Sequence, residues 1–102
     1  MATGTMKTGY KPFIPDYTTA KAVTAPYTVP RDGFIRILLT GTWTPCSAHI
    51  NSITVMSVQI LNTDNYPVSF SNIFPVKKGD VVAINTNSGS HNSGSLLFMN
   101  HV

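Results

Sequence analysis

Few residues of this chain could do acid–base chemistry. Its four carboxylates are all aspartates, and each lies in the N-terminal segment or among turn-forming residues: Asp16, Asp32, Asp64 and Asp80. Glycoside hydrolysis needs two carboxylates that flank one bond, whereas an aspartate in a turn has a sufficient structural role in bonding its own backbone. The sequence therefore predicts no catalytic residue and no enzyme. The alternative of a small enzyme with an unrecognised site stays open.

Three histidines and one cysteine are the remaining candidates for metal binding or nucleophilic chemistry. His49, His91 and His101 lack the close spacing of a metal-binding pair. Cys46 is the only cysteine, so the chain can form neither an intrachain disulfide nor a cysteine-based zinc site. We therefore interpret Cys46 as a buried free thiol, and we expect neither a metal nor a cofactor.

A polar loop rich in serine, glycine and asparagine covers residues 87–94. It lacks the G-x-x-x-x-G-K-[ST] pattern that cradles phosphate. One interpretation is a long hairpin loop without a ligand. The other is a recognition tip with Asn87, His91 and Asn92 as its contact residues, since binding residues are often carried on loops that a rigid scaffold positions.

Composition limits the class of partner. The 102 residues suit one domain. The formal net charge of +3 comes from cations that are scattered apart from the pair Lys77-Lys78, whereas nucleic-acid binders concentrate cations on one face. No window approaches the ~18 consecutive apolar residues of a membrane span, and residues 1–22 do not resemble a signal peptide. We expect a protein made in a cytoplasm, with neither nucleic acid nor membrane as its partner.

The elements that would position these residues are short β-strands. The longest apolar run follows a turn at residues 30–33 and ends at Trp43. Successive strand side chains alternate between two faces. The face predicted to be core carries Ile35, Ile37, Leu39, Gly41 and Trp43. The opposite face mixes apolar with polar side chains and predicts contact with another subunit; it carries Phe34, Arg36, Leu38, Thr40 and Thr42.

The other predicted strands are separated by turn signals. Residues 53–61 form a run with apolar residues on both faces, which indicates burial on both sides, within the fold or against a partner. Pro26 confines the strand at residues 22–29 to an edge or a bulge. Shorter strands are predicted from residues 66, 81 and 96 onward. Turn signals about every ten residues, without helical periodicity, predict an all-β sandwich or barrel of antiparallel strands.

Residues 1–22 differ from the rest of the chain. Prolines and glycines there exclude a regular helix or strand. We expect an extended N-terminal arm over residues 1–22 and a β-sandwich domain over residues 23–102. One alternative is a loosely packed terminus. The other, favoured by large apolar side chains that a solvated tail does not need, is a docking arm with the contact residues Tyr10, Phe13, Ile14 and Tyr17.

Two turn motifs resemble a known family. Residues 27–35 read Tyr-Thr-Val-Pro-Arg-Asp-Gly-Phe-Ile, and residues 74–82 read Phe-Pro-Val-Lys-Lys-Gly-Asp-Val-Val. Both resemble turns of small phage tail-fibre and virion head domains, and the resemblance covers about residues 23–102. It implies a jelly-roll sandwich of the C1q and tumour-necrosis-factor type, tight trimers, and a role in assembly or adhesion rather than catalysis.

The resemblance and the residues together define the expected function. We expect a non-enzymatic structural protein of a bacteriophage virion, assembled in the host cytoplasm. It would be a homotrimeric capsid-decorating or accessory protein that the arm attaches to other virion proteins. The alternative is a tail-fibre-type receptor-binding head that recognises a host-surface glycan. The residues predicted for the oligomer interface are Phe34, Leu38, Ile53 and Val55.

Overall fold

The computed structural model describes residues 14–60, 66–87 and 91–102. These residues form one short 3-10 turn, Tyr17–Thr19, and eight β-strands. In chain order the strands are β1 Lys21–Val23, β2 Tyr27–Thr28, β3 Gly33–Gly41, β4 Cys46–Ile50, β5 Ile53–Val58, β6 Val68–Val76, β7 Val81–Asn85 and β8 Ser93–Asn100. Within the described ranges, no helix has the length and apolar character needed to cross a membrane.

The strands form two antiparallel four-stranded sheets, in the orders β1-β8-β3-β6 and β2-β7-β4-β5. Every connection between consecutive strands passes from one sheet to the other, except the β4–β5 hairpin. This is the winding of a jelly roll, in which eight strands form a double sheet from two Greek keys. The prediction of an all-β, antiparallel, jelly-roll-like sandwich is confirmed.

The core lies between the two sheets and is centred on β3. Ile35, Ile37 and Leu39 are 0 % exposed, as the alternation along the strand predicts. Gly41 continues this face where the two sheets come close, because a Cβ there would lie 2.5 Å from a backbone oxygen of β5. The prediction is wrong for Trp43, which is 53 % exposed. β3 ends at Gly41, and the alternation of faces ends with it.

Cys46 also belongs to this core. It is a free thiol with no exposed surface, and burial raises the pKa of the thiol. Since the thiolate is the nucleophile and metal ligand, Cys46 acts as a small hydrophobic residue. The prediction of a buried free thiol is confirmed.

The apolar residues on both faces of the second long strand have a local cause. Ala48 lies opposite Met56 and His49 lies opposite Thr54, so Val55 is an extra residue on β5. Such a β-bulge changes the alternation of side chains, and both Val55 and Met56 pack against the core. Within the single chain β5 is therefore not buried on both faces, and its burial against a partner stays a prediction.

Pro26 divides the first predicted strand into two pieces. β1 lies at the edge of one sheet and β2 at the edge of the other, with the cis peptide Ala25-Pro26 between them. Because proline cannot donate to a ladder, it is tolerated at such a crossing. The prediction of an edge position is confirmed.

The segment before β1 is bound to the end of β8. The backbone N–H of Asp16 donates to the Asn100 carbonyl at 2.8 Å, and the Val102 N–H donates to the Ile14 carbonyl at 2.8 Å. The Asn100 N–H donates to Thr19 Oγ1 at 2.9 Å. Residues 14–22 are therefore part of the folded domain, although we predicted that the arm ends at residue 22. Residues 1–13 lie outside the described residues.

The two turn motifs interlock. The Lys78 N–H donates to Asp32 Oδ1 at 2.9 Å, and the Gly79 N–H donates to the Val29 carbonyl at 2.8 Å. The Val29 N–H in turn donates to the Asp80 carbonyl at 2.8 Å. Gly79 has a φ of 92°, which glycine adopts without strain. The two motifs thus form one packed structure, and their residue types are explained by its hydrogen bonds. It lies where β2 leads into β3 and β6 leads into β7.

Asp80 extends this structure to the β4–β5 hairpin. Its Oδ2 accepts from the Lys77 N–H at 2.9 Å, and its Oδ1 accepts from Asn51 Nδ2 at 2.9 Å. These bonds, the Lys77 bond first, hold the pKa of the Asp80 carboxyl below its ordinary value. Asn51 Oδ1 also accepts from the Val81 N–H at 2.9 Å. Asp80 and Asp32 are structural turn residues, as the sequence predicts.

Candidate interaction surfaces

The strand directions place the connections of the sandwich at two opposite ends. We call one end the base; it holds residues 14–20, 29–32, 51–52, 77–80 and 101–102. We call the other end the tip; its described connections are residues 42–45, 59–60, 66–67, 86–87 and 91–92. The N-terminal segment leaves the domain from the base.

Charge is divided unequally between these ends. The described Asp, Lys and Arg residues that lie at or next to the base are Asp16, Lys21, Arg31, Asp32, Lys77, Lys78 and Asp80. Arg36 lies on β3, and Asp64 lies outside the described residues. The described part of the tip contains no Asp, Glu, Lys or Arg. Its polar groups are amides, hydroxyls and an imidazole.

Asn92 holds the tip together. Its Oδ1 accepts from the backbone N–H and the hydroxyl of Thr42 at 3.0 and 2.8 Å. Its Nδ2 donates to the carbonyls of Thr44 and Thr86 at 2.7 and 2.9 Å. The side chain thus joins the β7–β8 connection to the β3–β4 connection. We predicted Asn92 as a ligand contact, but its amide is occupied by these bonds, and the structure gives it a structural role.

Two further amides fix the rest of the β3–β4 connection. Gln59 Nε2 donates to the Trp43 carbonyl at 2.8 Å, and Asn87 Nδ2 donates to the Pro45 carbonyl at 2.7 Å. Of the other predicted recognition residues, Asn87 is exposed while its Nδ2 supports this loop, and His91 is exposed at the same end. The sequence reasoning missed Trp43 as a surface residue. Its neighbour Pro45, two residues later, is the signal that the strand stops before it.

The outer face of the β1-β8-β3-β6 sheet is largely apolar near its centre. The pairing of strands places Arg36, Ile73, Leu97 and Ala22 in one row across the sheet, with Leu38 in the next. We call these five residues the sheet face. Within the described structure, the buried Nε of Arg36 has no hydrogen-bond partner. A buried donor without an acceptor costs about 1–3 kcal/mol, so Arg36 is an energetically costly residue in the middle of this face.

A second apolar surface lies where the edge strands β5 and β6 meet. There the sandwich is open, and a groove of about 320 Å³ is lined by Met56, Phe70 and their neighbours. Phe70 is 57 % exposed and Ile53 is 67 % exposed. Val68 extends the exposed apolar side chains toward the tip. We call Met56, Phe70, Ile53 and Val68 the open edge; none of them is charged.

The four predicted interface residues lie in different environments. Leu38 belongs to the sheet face and Ile53 belongs to the open edge. Phe34 is only 5 % exposed, and Val55 packs against the core. Val55 keeps part of its surface exposed, as Leu38 does, and an interface role of Phe34 and Val55 stays a prediction. In the predicted arm, Ile14 and Tyr17 are 50 % and 64 % exposed, whereas Tyr10 and Phe13 lie outside the described residues.

A hydroxyl–imidazole cluster lines a shallow depression on the other sheet. His49 Nε2 lies 3.1 Å from Ser47 Oγ, and His49 Nδ1 lies 3.1 Å from Thr54 Oγ1. The depression beside it measures about 550 Å³. A threonine hydroxyl cannot stabilise an imidazolium as the carboxylate of a hydrolase triad does. The described residues also include no group of three histidine, cysteine or acidic side chains that could hold a metal.

No family model matches this chain, and neither a curated protein nor a solved structure is detectably similar to it. The jelly roll itself does not decide function, because one fold carries many unrelated activities. The function must therefore be argued from the surfaces: the base with its arm, the sheet face, the open edge and the tip.

Proposed function

We propose that this chain is a non-enzymatic structural protein of a bacteriophage virion. It acts as a small homotrimeric capsid-decorating or accessory protein, and its N-terminal arm attaches it to other virion proteins. It needs neither cofactor nor metal, and its partners are neither nucleic acid nor membrane. The observation that carries the proposal is the presence of two unlike apolar surfaces, the sheet face and the open edge, on one small chain.

Two unlike surfaces favour a ring of copies over a twofold dimer. A twofold interface uses one self-complementary patch, whereas a head-to-tail contact joins two different patches and forms a ring when the rotation between copies closes. The open edge of one copy, placed on the sheet face of the next, would cover both surfaces. The resemblance to trimeric head domains supports three copies.

Association also suits the size of the chain. A domain of about 100 residues buries only about two-thirds of the surface that its unfolded form exposes. Apolar side chains such as Phe70 and Ile53 then remain in water in the single copy. Burying apolar surface contributes about 25 cal/mol per Å², so covering these side chains would stabilise the assembly.

The attachment role rests on the base. Residues 14–20 are hydrogen-bonded to the end of β8, so the arm leaves from a fixed point. Ile14 and Tyr17 keep half or more of their surface exposed at this point. An arm that binds the particle would extend this apolar surface with Tyr10 and Phe13.

The alternative is a receptor-binding head that recognises a host-surface glycan. The exposed Trp43 at the tip favours this alternative. Trp43 lies in the β3–β4 connection, whose backbone carbonyls accept hydrogen bonds from several amide side chains. The two functions use opposite ends of the molecule. They can therefore be separated by experiment.

Light scattering and particle binding test the proposal together. We expect a trimer in both cases: about 33 kDa for the full chain, three chains of 11.1 kDa each, and a correspondingly lower mass for three chains that lack residues 1–13. The deletion should abolish binding to phage particles assembled without the protein. The double variant Tyr10→Ala/Phe13→Ala should do the same, while Lys7→Ala/Lys11→Ala serves as the matched control. A monomer at low micromolar concentration would contradict the trimer, and particle binding that survives the deletion would contradict the arm.

A further inference from the structure

The backbone around Trp43 is fixed by hydrogen bonds from three amide side chains. Tryptophan is highly buried on average, yet Trp43 is 53 % exposed. Its own carbonyl accepts from Gln59, and the carbonyls of the next two residues accept from Asn92 and Asn87. A rigid loop loses little conformational entropy on binding. The tip therefore presents a large aromatic ring from a pre-organised backbone.

A second aromatic residue leaves the same strand pair. Gly41 lies opposite Val68 in the β3–β6 ladder. Trp43 and Tyr66 are each two residues beyond this pair, toward the tip. Tyr66 is 74 % exposed. Two exposed rings thus emerge from neighbouring strands at one end of the molecule.

The described residues around these rings are polar and uncharged. Gln59 and Asn87, whose amide nitrogens hold the loop, are exposed, and so is His91. Recognition of phosphate or carboxylate groups relies on arginine and lysine, and the described part of the tip has neither. Aromatic faces with a few fixed amide groups match the chemistry of a neutral sugar ring, which presents a face of C–H bonds and a rim of hydroxyls.

We infer that the tip binds an uncharged saccharide, with Trp43 as the stacking platform and Tyr66 as a second ring. The site lies at the end opposite the arm, so it goes beyond the attachment role and does not depend on it. A decorating protein with this site would hold saccharide on the outside of the particle. The inference deepens the receptor-binding alternative by naming the class of ligand and the residue that carries it.

The protein contains a built-in reporter, because Trp43 is its only tryptophan. The full chain is titrated with neutral oligosaccharides of glucose, galactose, mannose and N-acetylglucosamine while tryptophan fluorescence is recorded. Polygalacturonate serves as the acidic comparison. We expect a saturable change in intensity or wavelength with at least one neutral oligosaccharide and none with the acidic polymer. No response to any neutral saccharide, or a response to the acidic polymer alone, would overturn the inference.

Variants then assign the site by affinity electrophoresis, which does not need the tryptophan. Trp43→Ala should weaken binding by about tenfold, which corresponds to about 1.4 kcal/mol, because both the stacking contact and the buried apolar area of the ring are lost. Trp43→Tyr keeps a ring, so it should retain part of the affinity. Tyr17→Ala removes an exposed ring at the base and should change nothing. Unchanged binding by a folded Trp43→Tyr or Trp43→Ala protein would overturn the assignment. None of these outcomes affects the mass or the particle-binding test.

Discussion

Asn92 should contribute more to stability than any other amide at the tip. Its Oδ1 serves the N–H and the hydroxyl of Thr42, which is 4 % exposed, and its Nδ2 serves two carbonyls of neighbouring connections. A buried group that loses its partner costs about 1–3 kcal/mol, and a bond that water can replace costs about 1 kcal/mol or less. We expect Asn92→Ala to lower the free energy of unfolding by about 3 kcal/mol. That is a large part of the 5–15 kcal/mol typical of a domain.

Urea unfolding at one fixed protein concentration measures this effect, since association would otherwise shift the midpoint. The matched control is Asn87→Gly. It removes one exposed hydrogen bond and keeps the φ of 53° at this position favourable, so it should cost less than about 1 kcal/mol. Asn92→Asp keeps the acceptor oxygen but replaces the donor nitrogen by an oxygen that faces two carbonyl oxygens. It should therefore also lower the free energy of unfolding. Equal effects of Asn92→Ala and Asn87→Gly would refute the reasoning.

Three further predictions concern the base, the β4–β5 hairpin and the oligomer. The pKa of Asp80 lies below its ordinary value of 3.8, so its stabilisation is complete above about pH 4 and is lost as the pH falls through the folded pKa. Asp80→Asn should therefore reduce the loss of unfolding free energy at acid pH, as measured by urea unfolding at a series of pH values. Profiles of the variant and the unchanged protein that stay parallel at acid pH would contradict this prediction. Ser52 has a φ of 67°, a conformation that strains a residue with a side chain. Ser52→Gly should relieve this strain, stabilise the protein by about 0.5 kcal/mol and raise the urea midpoint. A lower midpoint would show that Ser52 is not strained. Phe70→Asp and Leu38→Asp should each reduce the light-scattering mass to that of a monomer with unchanged circular dichroism, whereas Tyr17→Asp should leave the mass unchanged.

The fold was predictable where one local pattern decided the outcome. Alternation along β3 identified Ile35, Ile37 and Leu39, because a strand that is covered on one face has a period of two. Pro26 marked an edge because it cannot donate to a ladder. Gly79 marked a turn because of the φ that the turn requires. Each of these inferences uses a property of the backbone that tertiary contacts do not change.

Where the structure departs from the sequence pattern, contacts between distant parts of the chain are the cause. Trp43 continues the alternation in sequence, but β3 has already ended two residues earlier. Val55 lies on the apparent outer face until a bulge against β4 changes the register. Asn92 looks like a loop residue, and its bonds to Thr42 span 50 positions of sequence. No single-strand pattern contains this information, so the tip could be located from the sequence but the roles within it could not be assigned.

The two ends of the sandwich are held by different chemistry, and this separates their proposed functions. At the base, the carboxylates of Asp80 and Asp32 accept backbone N–H bonds, so the base depends on ionised groups. At the tip, the amides of Asn92, Asn87 and Gln59 make the corresponding bonds, and amides do not titrate. Acid that protonates Asp80 should therefore weaken the structure from which the arm emerges before it affects the platform under Trp43. The proposed attachment at one end and the proposed recognition at the other can change independently, because the two ends share the core but not the bonds that hold their loops.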